Sequence, residues 1–463
     1  MFRKFLEEHR EEMINTLAGL IAVPSISRQE GGKYCYGKDV DDALTYVRDA
    51  ARSFGFEAEN LGYMTEVRFG HGDKTVYIAC HADVVPAGDG WHTDPFALTR
   101  KDGKLFGRGV EDNKGPVVAV LYALRALREA GLEPKASVRL LVGGAEETGM
   151  DDIPQYTAVH GFPDYGLTPD SSFPIVNTEA GMFDGELYFG DAYRNEGCVR
   201  LLSLRGGVAS NCVPDSATAV LEADDPAVVT AFFTPENTAF LKDFSWKTED
   251  GNRILLTTRG INAHASVANR GKNALTDLAV LLQRLFEHMG VVNRLTEVLS
   301  RYFADDFDAS RLGLSCRGEI LGSITLNVGI YDTEKGYFTV DMRLPVAGIC
   351  EKIRQRYEQL AKEYGFRLEI RKLKEYTHIP KESEFMQKLG AAFEHVTGRK
   401  AEYFGCCGLT YAKVLGGRGV AFGPAFEDGD ESGNIHGDDE FIREDVLIRL
   451  AAVYAQVIYE LWC

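Results

Sequence analysis

Two apolar runs with strand character, TVYIAC at 75–80 and SVRLLVGG at 137–144, flank PVVAVLYALRALREAG at 116–131, a helical stretch closed by Gly131. A buried strand, a helix and a second buried strand predict a βαβ unit, whose strands run parallel with helices covering the sheet. The same rhythm continues to about residue 185 and returns near the end of the chain, with a helix around 383–397, the strand GVAFG at 419–423 and a closing helix near 443–461. Between these parts the pattern changes. Amphipathic strands such as SATAVLEA, RILLTTRG, SITLNVGI and YFTVDMRLP alternate there with helices over roughly 274–288 and 349–364. The expected fold is α/β with a mixed, mainly parallel sheet formed by residues 1–185 and 380–463, interrupted by an inserted α+β domain over 186–379.

The opening stretch MFRKFLEEHREEMINTLAGL sets Phe2, Phe5, Leu6, Ile14, Leu17 and Leu20 at helical spacing between charges. It reads as a structural helix, without the continuous apolar region of a signal peptide. No run approaches the roughly 18 apolar residues of a membrane span, so no membrane partner is expected. The nine cysteines are odd in number and scattered apart from the adjacent Cys406 and Cys407. That usage suits the reducing cytoplasm, where the chain is placed. A net charge of −18 without a basic stripe argues against nucleic acid as a partner.

In open α/β sheets, ligands gather beyond the carboxyl ends of the strands. Four such ends carry groups suited to metal ions. The first strand runs into His81-Ala82-Asp83, where alternate residues share a face and Asp83 can orient the His81 ring. The segment GRGVEDNKGP brings Asp112 to the start of the following helix, where an aspartate would ordinarily serve as a cap. The second strand leads to Glu146 and Glu147, the third to Asp170, and the GVAFGP strand to a Gly- and Asp-rich loop ending at His436. Each could be ordinary turn or loop chemistry alone. Together, these carboxylates on one sheet edge repel one another unless cations lie between them. The donors are nitrogen and oxygen, which suits zinc and also permits manganese or cobalt. Cys80 points to the other face and reads as core.

The motifs HADVVPAGDGW, GRGVEDNKGP, GGAEETG, TPDSSFP and IHGDDE resemble, in order and spacing, those of the co-catalytic zinc family of aminoacylases, carnosinases, desuccinylases and carboxypeptidase G. The resemblance spans nearly the whole chain. GGVASNCVP and INAHAS in the inserted segment are similar to the PepV-type dipeptidases of that family. The resemblance implies two divalent ions bridged by Asp112, one completed by His81 and Asp170 and the other by Glu147 and His436. It also implies a cis Asp112-Asn113 peptide, Glu146 as general base, and an insert serving as a lid. From the lid, His264 would stabilise the oxyanion, and Asn211 and Arg343 would hold a dipeptide whose terminal carboxylate suits the planar Arg343 fork. Two departures stand out. Asn113 replaces a common aspartate, and Cys407 and Leu409 interrupt a usually Gly-rich loop before Thr410-Tyr411-Ala412. An N-acyl amino acid deacylase is the rival enzymatic reading, and a non-catalytic binding relative the remote one. Either a monomer or a homodimer is compatible with the sequence.

Overall fold

A computed structural model describes residues 2–28, 34–249, 251–426 and 433–463. It divides into two compact units, one of residues 1–179 and 377–463 and the other of residues 180–376.

The first unit is built on a mixed sheet. At its centre the strands Ser137–Gly143, Thr75–His81, Tyr165–Thr168 and Gly419–Ala421 lie side by side in that order, all parallel. Antiparallel strands extend both flanks, Met64–Phe69 and Glu57–Asn60 on one side, Ile175–Glu179 and Thr377–His378 on the other. The central strands are buried along nearly their whole length, as a parallel sheet covered by helices requires. The helix Lys114–Glu129 is buried on almost every face, because the closing helix Glu444–Trp462 packs against it as well. It begins two residues before the expected Pro116, which sits in its first turn, where proline costs no hydrogen bond.

The opening helix is two helices, Arg3–Glu8 and Arg10–Ile21, separated at His9, whose ring Nδ1 lies 2.8 Å from the Phe5 carbonyl oxygen. A side chain bonding into the helical ladder is a recognised cause of such a break. Among the described residues, no helix is long and apolar enough to cross a membrane.

The second unit carries an antiparallel eight-stranded sheet. Its interior strands include Ser216–Ala223, Arg253–Arg259, Thr325–Asp332 and Tyr337–Leu344, and the helices Ala274–His288 and Cys350–Tyr364 share its core. The helix Ala274–His288 starts where the Asn273 side chain accepts from the Leu275 and Thr276 N–H groups, and Cys350–Tyr364 stops at Gly365 in the left-handed conformation.

Candidate metal centre

The in-register parallel pairing sets His81 opposite Gly143 and Ala421 opposite Thr168, so the loops leaving these strands begin at one edge. His81, Asp112, Glu146, Glu147, Asp170 and His436 converge there. Asp112 stands between the two imidazoles. Its Oδ1 lies 3.0 Å from His81 Nε2 and its Oδ2 lies 3.0 Å from His436 Nε2. Asp170 Oδ1 approaches His81 Nε2 to 3.5 Å, and Glu147 Oε1 approaches His436 Nε2 to 3.0 Å. Two donor sets therefore share one carboxylate. The peptide joining Asp112 to Asn113 is cis. Residues 427–432 of the loop leading to His436 lie outside the described residues.

The electrostatics follow from burial and crowding. Burial, followed by the neighbouring Asp170 charge, pushes the Glu146 carboxyl well above the usual carboxylate range. Burial and then Asp112 push Asp170 up to about 7. Burial acts on Asp112 in the same direction, but hydrogen bonds from His436 and His81 outweigh it and hold this carboxyl below its ordinary range. His436 is raised to about 10 by its contacts with Asp112 and Glu147. In the absence of a cation, shared protons must neutralise this cluster; divalent ions among its oxygen and imidazole donors would do so without them. Glu146 Oε1 is buried and accepts no hydrogen bond from the described residues, so it can accept a proton from a group at this centre. The donor set fits divalent ions of the zinc type.

Around the cluster, buried side chains fix the loops. Asp83 stands beside the His81 ring, where its spacing put it, and carries a second set of contacts. His81 Nδ1 donates to the Asp83 backbone carbonyl at 2.9 Å, while the Asp83 carboxylate accepts from the Glu146 and Glu147 backbone N–H groups at 3.2 and 3.1 Å. Asp83 Oδ1 also lies 3.4 Å from His81 Nδ1, so one residue orients the His81 ring through backbone and side chain together and the paired glutamates through its carboxylate.

Two further roles were not read from the sequence. The Asn113 amide donates to the Pro169 carbonyl at 2.6 Å and to Asp170 Oδ1 at 3.1 Å, so it steers Asp170. It does not cap the helix Lys114–Glu129 that it precedes, nor does Asp112, the residue for which a cap was the ordinary reading. Asp152 accepts from the Gly144 and Ala145 N–H groups and from the Tyr411 hydroxyl, which ties the Thr410-Tyr411-Ala412 segment to the turn bearing Glu146. Only the identity of Asn113 and the departure before Thr410 hinted at these roles.

The remaining predicted residues belong to the second unit. The Ala265 N–H donates to the Asn211 carbonyl at 2.8 Å, which sets Asn211 beside His264. Asn327 pins the Asn211 turn by donating to Ser210 and Cys212 carbonyls, each at 3.0 Å. Gly207 leads into that turn at φ 79°, and a Cβ there would stand 1.8 Å from the Gly329 carbonyl oxygen, so only glycine fits. His264 Nδ1 lies 3.2 Å from the donating Ser266 N–H. The His264 pKa is lowered by partial desolvation and by the Arg343 charge. A neutral ring whose Nδ1 accepts must carry its proton on Nε2. Arg343 lies on the interior strand Tyr337–Leu344, and its guanidinium makes a two-pronged bond to Asp341, at 2.9 and 3.1 Å.

Residues 77–460 match the model of peptidase family M20/M25/M40. The chain belongs to this family. M20 peptidases are metal-dependent hydrolases, and the chain is a hydrolase of that kind. Proteins named "Putative dipeptidase" are similar over their full length. YtjP of Bacillus subtilis is 31% identical over 462 residues, covering 98% of this chain and 97% of the relative. A relative from Staphylococcus haemolyticus is 29% identical over 473 residues, covering 100% of this chain and 99% of the relative. Among solved structures, human carnosine dipeptidase 1 shares the fold with TM-score 0.59 at 16% identity, covering 99% of this chain and 98% of that one. The Dug1p dipeptidase of Saccharomyces cerevisiae does so with TM-score 0.59 at 14% identity, covering 99% and 98%.

Proposed function

We propose that this M20 peptidase hydrolyses the amide bond of dipeptides that carry a free C-terminal carboxylate. In this reading His81, Asp112 and Asp170 hold one divalent ion, and Asp112, Glu147 and His436 hold the other. Zinc suits the donors best, and manganese or cobalt would also be accepted. The observation that carries the reading is the Asp112 carboxylate, which turns one oxygen to each of the two imidazole-bearing donor sets. The full-length similarity to proteins named as dipeptidases supports the substrate class.

Bound ions would act as Lewis acids that lower the pKa of water towards about 7. The protein's own groups then handle the protons. Glu146, whose buried Oε1 has no partner among the described residues, takes a proton from the attacking water and returns it to the departing amine nitrogen. Burial and the neighbouring Asp170 charge raise its pKa in the metal-free protein, the direction that favours taking up a proton. His264, protonated on Nε2, donates to the oxyanion. Asn211 holds the substrate, and Arg343 pairs with its terminal carboxylate, the guanidinium being oriented by Asp341. We place the reaction in the cytoplasm, with no role for nucleic acid or membrane, by a monomer or a homodimer.

A panel of unmodified dipeptides, their N-acetyl counterparts and N-acetyl amino acids tests the proposal. Rapid cleavage of free dipeptides with little release from N-acetyl amino acids is the expected result. The reverse preference would establish a deacylase.

A further inference from the structure

The centre depends on Asp112 facing two ways, and Asp112 sits in a turn rather than in a regular element. What holds that turn is a fully buried carboxylate far along the chain. Glu440 Oε1 accepts from the Glu111 N–H at 2.9 Å and from the Asp112 N–H at 3.1 Å. Glu440 Oε2 accepts from the Gly109 N–H at 2.9 Å and from Arg108 Nη1 at 2.8 Å. Three backbone donors of one turn thus converge on one side chain. Gly109 makes this possible: its φ is 89°, and a Cβ there would lie 2.9 Å from Val84 Cγ1.

Arg108 extends the link to the other loops. Its guanidinium is buried, and its Nη2 donates to the Gly437 carbonyl at 3.0 Å and to the Ala87 carbonyl at 3.3 Å. Gly437 follows His436 directly, and Ala87 lies in the segment that leaves His81. The Trp91 ring stacks on the guanidinium at 5.1 Å, and its indole N–H shares the Ala87 carbonyl at 2.7 Å. One ion pair therefore touches the three segments that bear His81, Asp112 and His436. A merely structural pair would need Glu440 only as a counter-ion for Arg108. Instead, Oε1 is devoted wholly to the N–H groups of the two peptides that flank Glu111, its own and that of Asp112.

We propose that Glu440, buttressed by Arg108, is the positioning residue that sets the Asp112 carboxylate between the two metal positions. The inference rests on Asp112 being the shared ligand. Glu440 touches neither metal nor substrate, and it acts through the main chain of Asp112. A glutamine there would turn an NH₂ group towards N–H donors, and an aspartate would fall one methylene short of satisfying all four donors together.

The test is Zn²⁺ titration of the metal-stripped full-length chain against a chelating indicator, for wild type, Glu440→Gln and Glu440→Asp, with thermal melts of each metal-free protein. Loss of second-sphere support typically weakens metal affinity by about 10- to 100-fold. Zinc affinity of Glu440→Gln should fall at least about tenfold, with activity recovering as zinc is raised to saturation. Should that variant fail to fold, Glu440→Asp is read by the same criterion. A smaller change, or a lowered melting temperature with unchanged zinc affinity, overturns the inference. A wild-type chain that binds no zinc would instead refute the metal reading itself.

Discussion

The neighbours Glu146 and Glu147 offer a sharp division of labour, because the same carboxylate holds both backbones. Asp83 accepts from the two N–H groups at 3.2 and 3.1 Å and contacts neither side chain, so exchanging either glutamate for glutamine leaves this anchor intact. Only the side-chain chemistry changes. Glu146→Gln keeps the length and shape of a buried group whose Oε1 has no hydrogen-bond donor among the described residues, but removes its ability to carry a proton. General-base catalysis contributes about 10²- to 10⁴-fold, and at about 1.4 kcal/mol per tenfold the barrier should rise by about 3 to 5 kcal/mol. Glu147→Gln replaces the oxygen that lies 3.0 Å from His436 Nε2 by a neutral, weaker donor, so one of the two metal positions should be lost or weakened. The assay is kcat for Ala-Ala hydrolysis beside elemental analysis of the same preparations. The reasoning predicts low turnover with full metal content for the first variant and reduced metal content for the second. Indistinguishable variants in both measurements would refute it.

Arg343→Ala and amidation of the substrate's carboxylate should remove one and the same interaction. Each alone should lower kcat/KM more than tenfold, since losing one side of a charge-assisted pair costs roughly 2 to 5 kcal/mol, and together they should not add. If wild type cleaves Ala-Ala amide as efficiently as Ala-Ala, that role is excluded. His264→Ala should lower kcat by about 10²- to 10³-fold for free and amidated substrates alike, as expected for an oxyanion donor; an effect confined to KM would contradict it. Protons compete with the metals. With Asp170 raised to about 7 and His436 to about 10 in the metal-free protein, binding at pH 7 must displace protons, and affinity should fall as the pH drops through 7. Calorimetry in buffers of differing ionisation enthalpy reads that release, and its absence would show that these groups do not ligate.

The sheet centre was legible because fully buried parallel strands such as Thr75–His81 and Ser137–Gly143 are continuous apolar runs with few rival readings. The edges of the inserted sheet are harder to see. Lys242–Glu249 is almost entirely exposed and Arg367–Lys374 alternates charges with half-buried residues, so neither announces itself by hydrophobicity. At the candidate site, residue type and strand ends pointed to His81, Asp112, Glu147, Asp170 and His436, which the fold brings together. Partnerships across long stretches of chain were invisible. No local pattern tells that Glu440 receives the N–H groups of Gly109, Glu111 and Asp112, or that the Asp83 carboxylate accepts from the main chain of Glu146 and Glu147 as well as facing His81. Asp112 is not the helix cap that an aspartate before a helix ordinarily makes: its carboxylate faces two imidazoles, and no side-chain cap bond is made at Asn113, where the Lys114–Glu129 helix begins.

In the proposed mechanism, hydrolysis requires two divalent ions shared through Asp112. This requirement is tested most directly by stripping the full-length protein with a chelator and titrating Zn²⁺ back while following Ala-Ala hydrolysis and bound metal on the same sample. The metal-free chain should show no turnover, and activity should return as two ions bind per chain. Full turnover in protein shown by elemental analysis to hold no metal would contradict it.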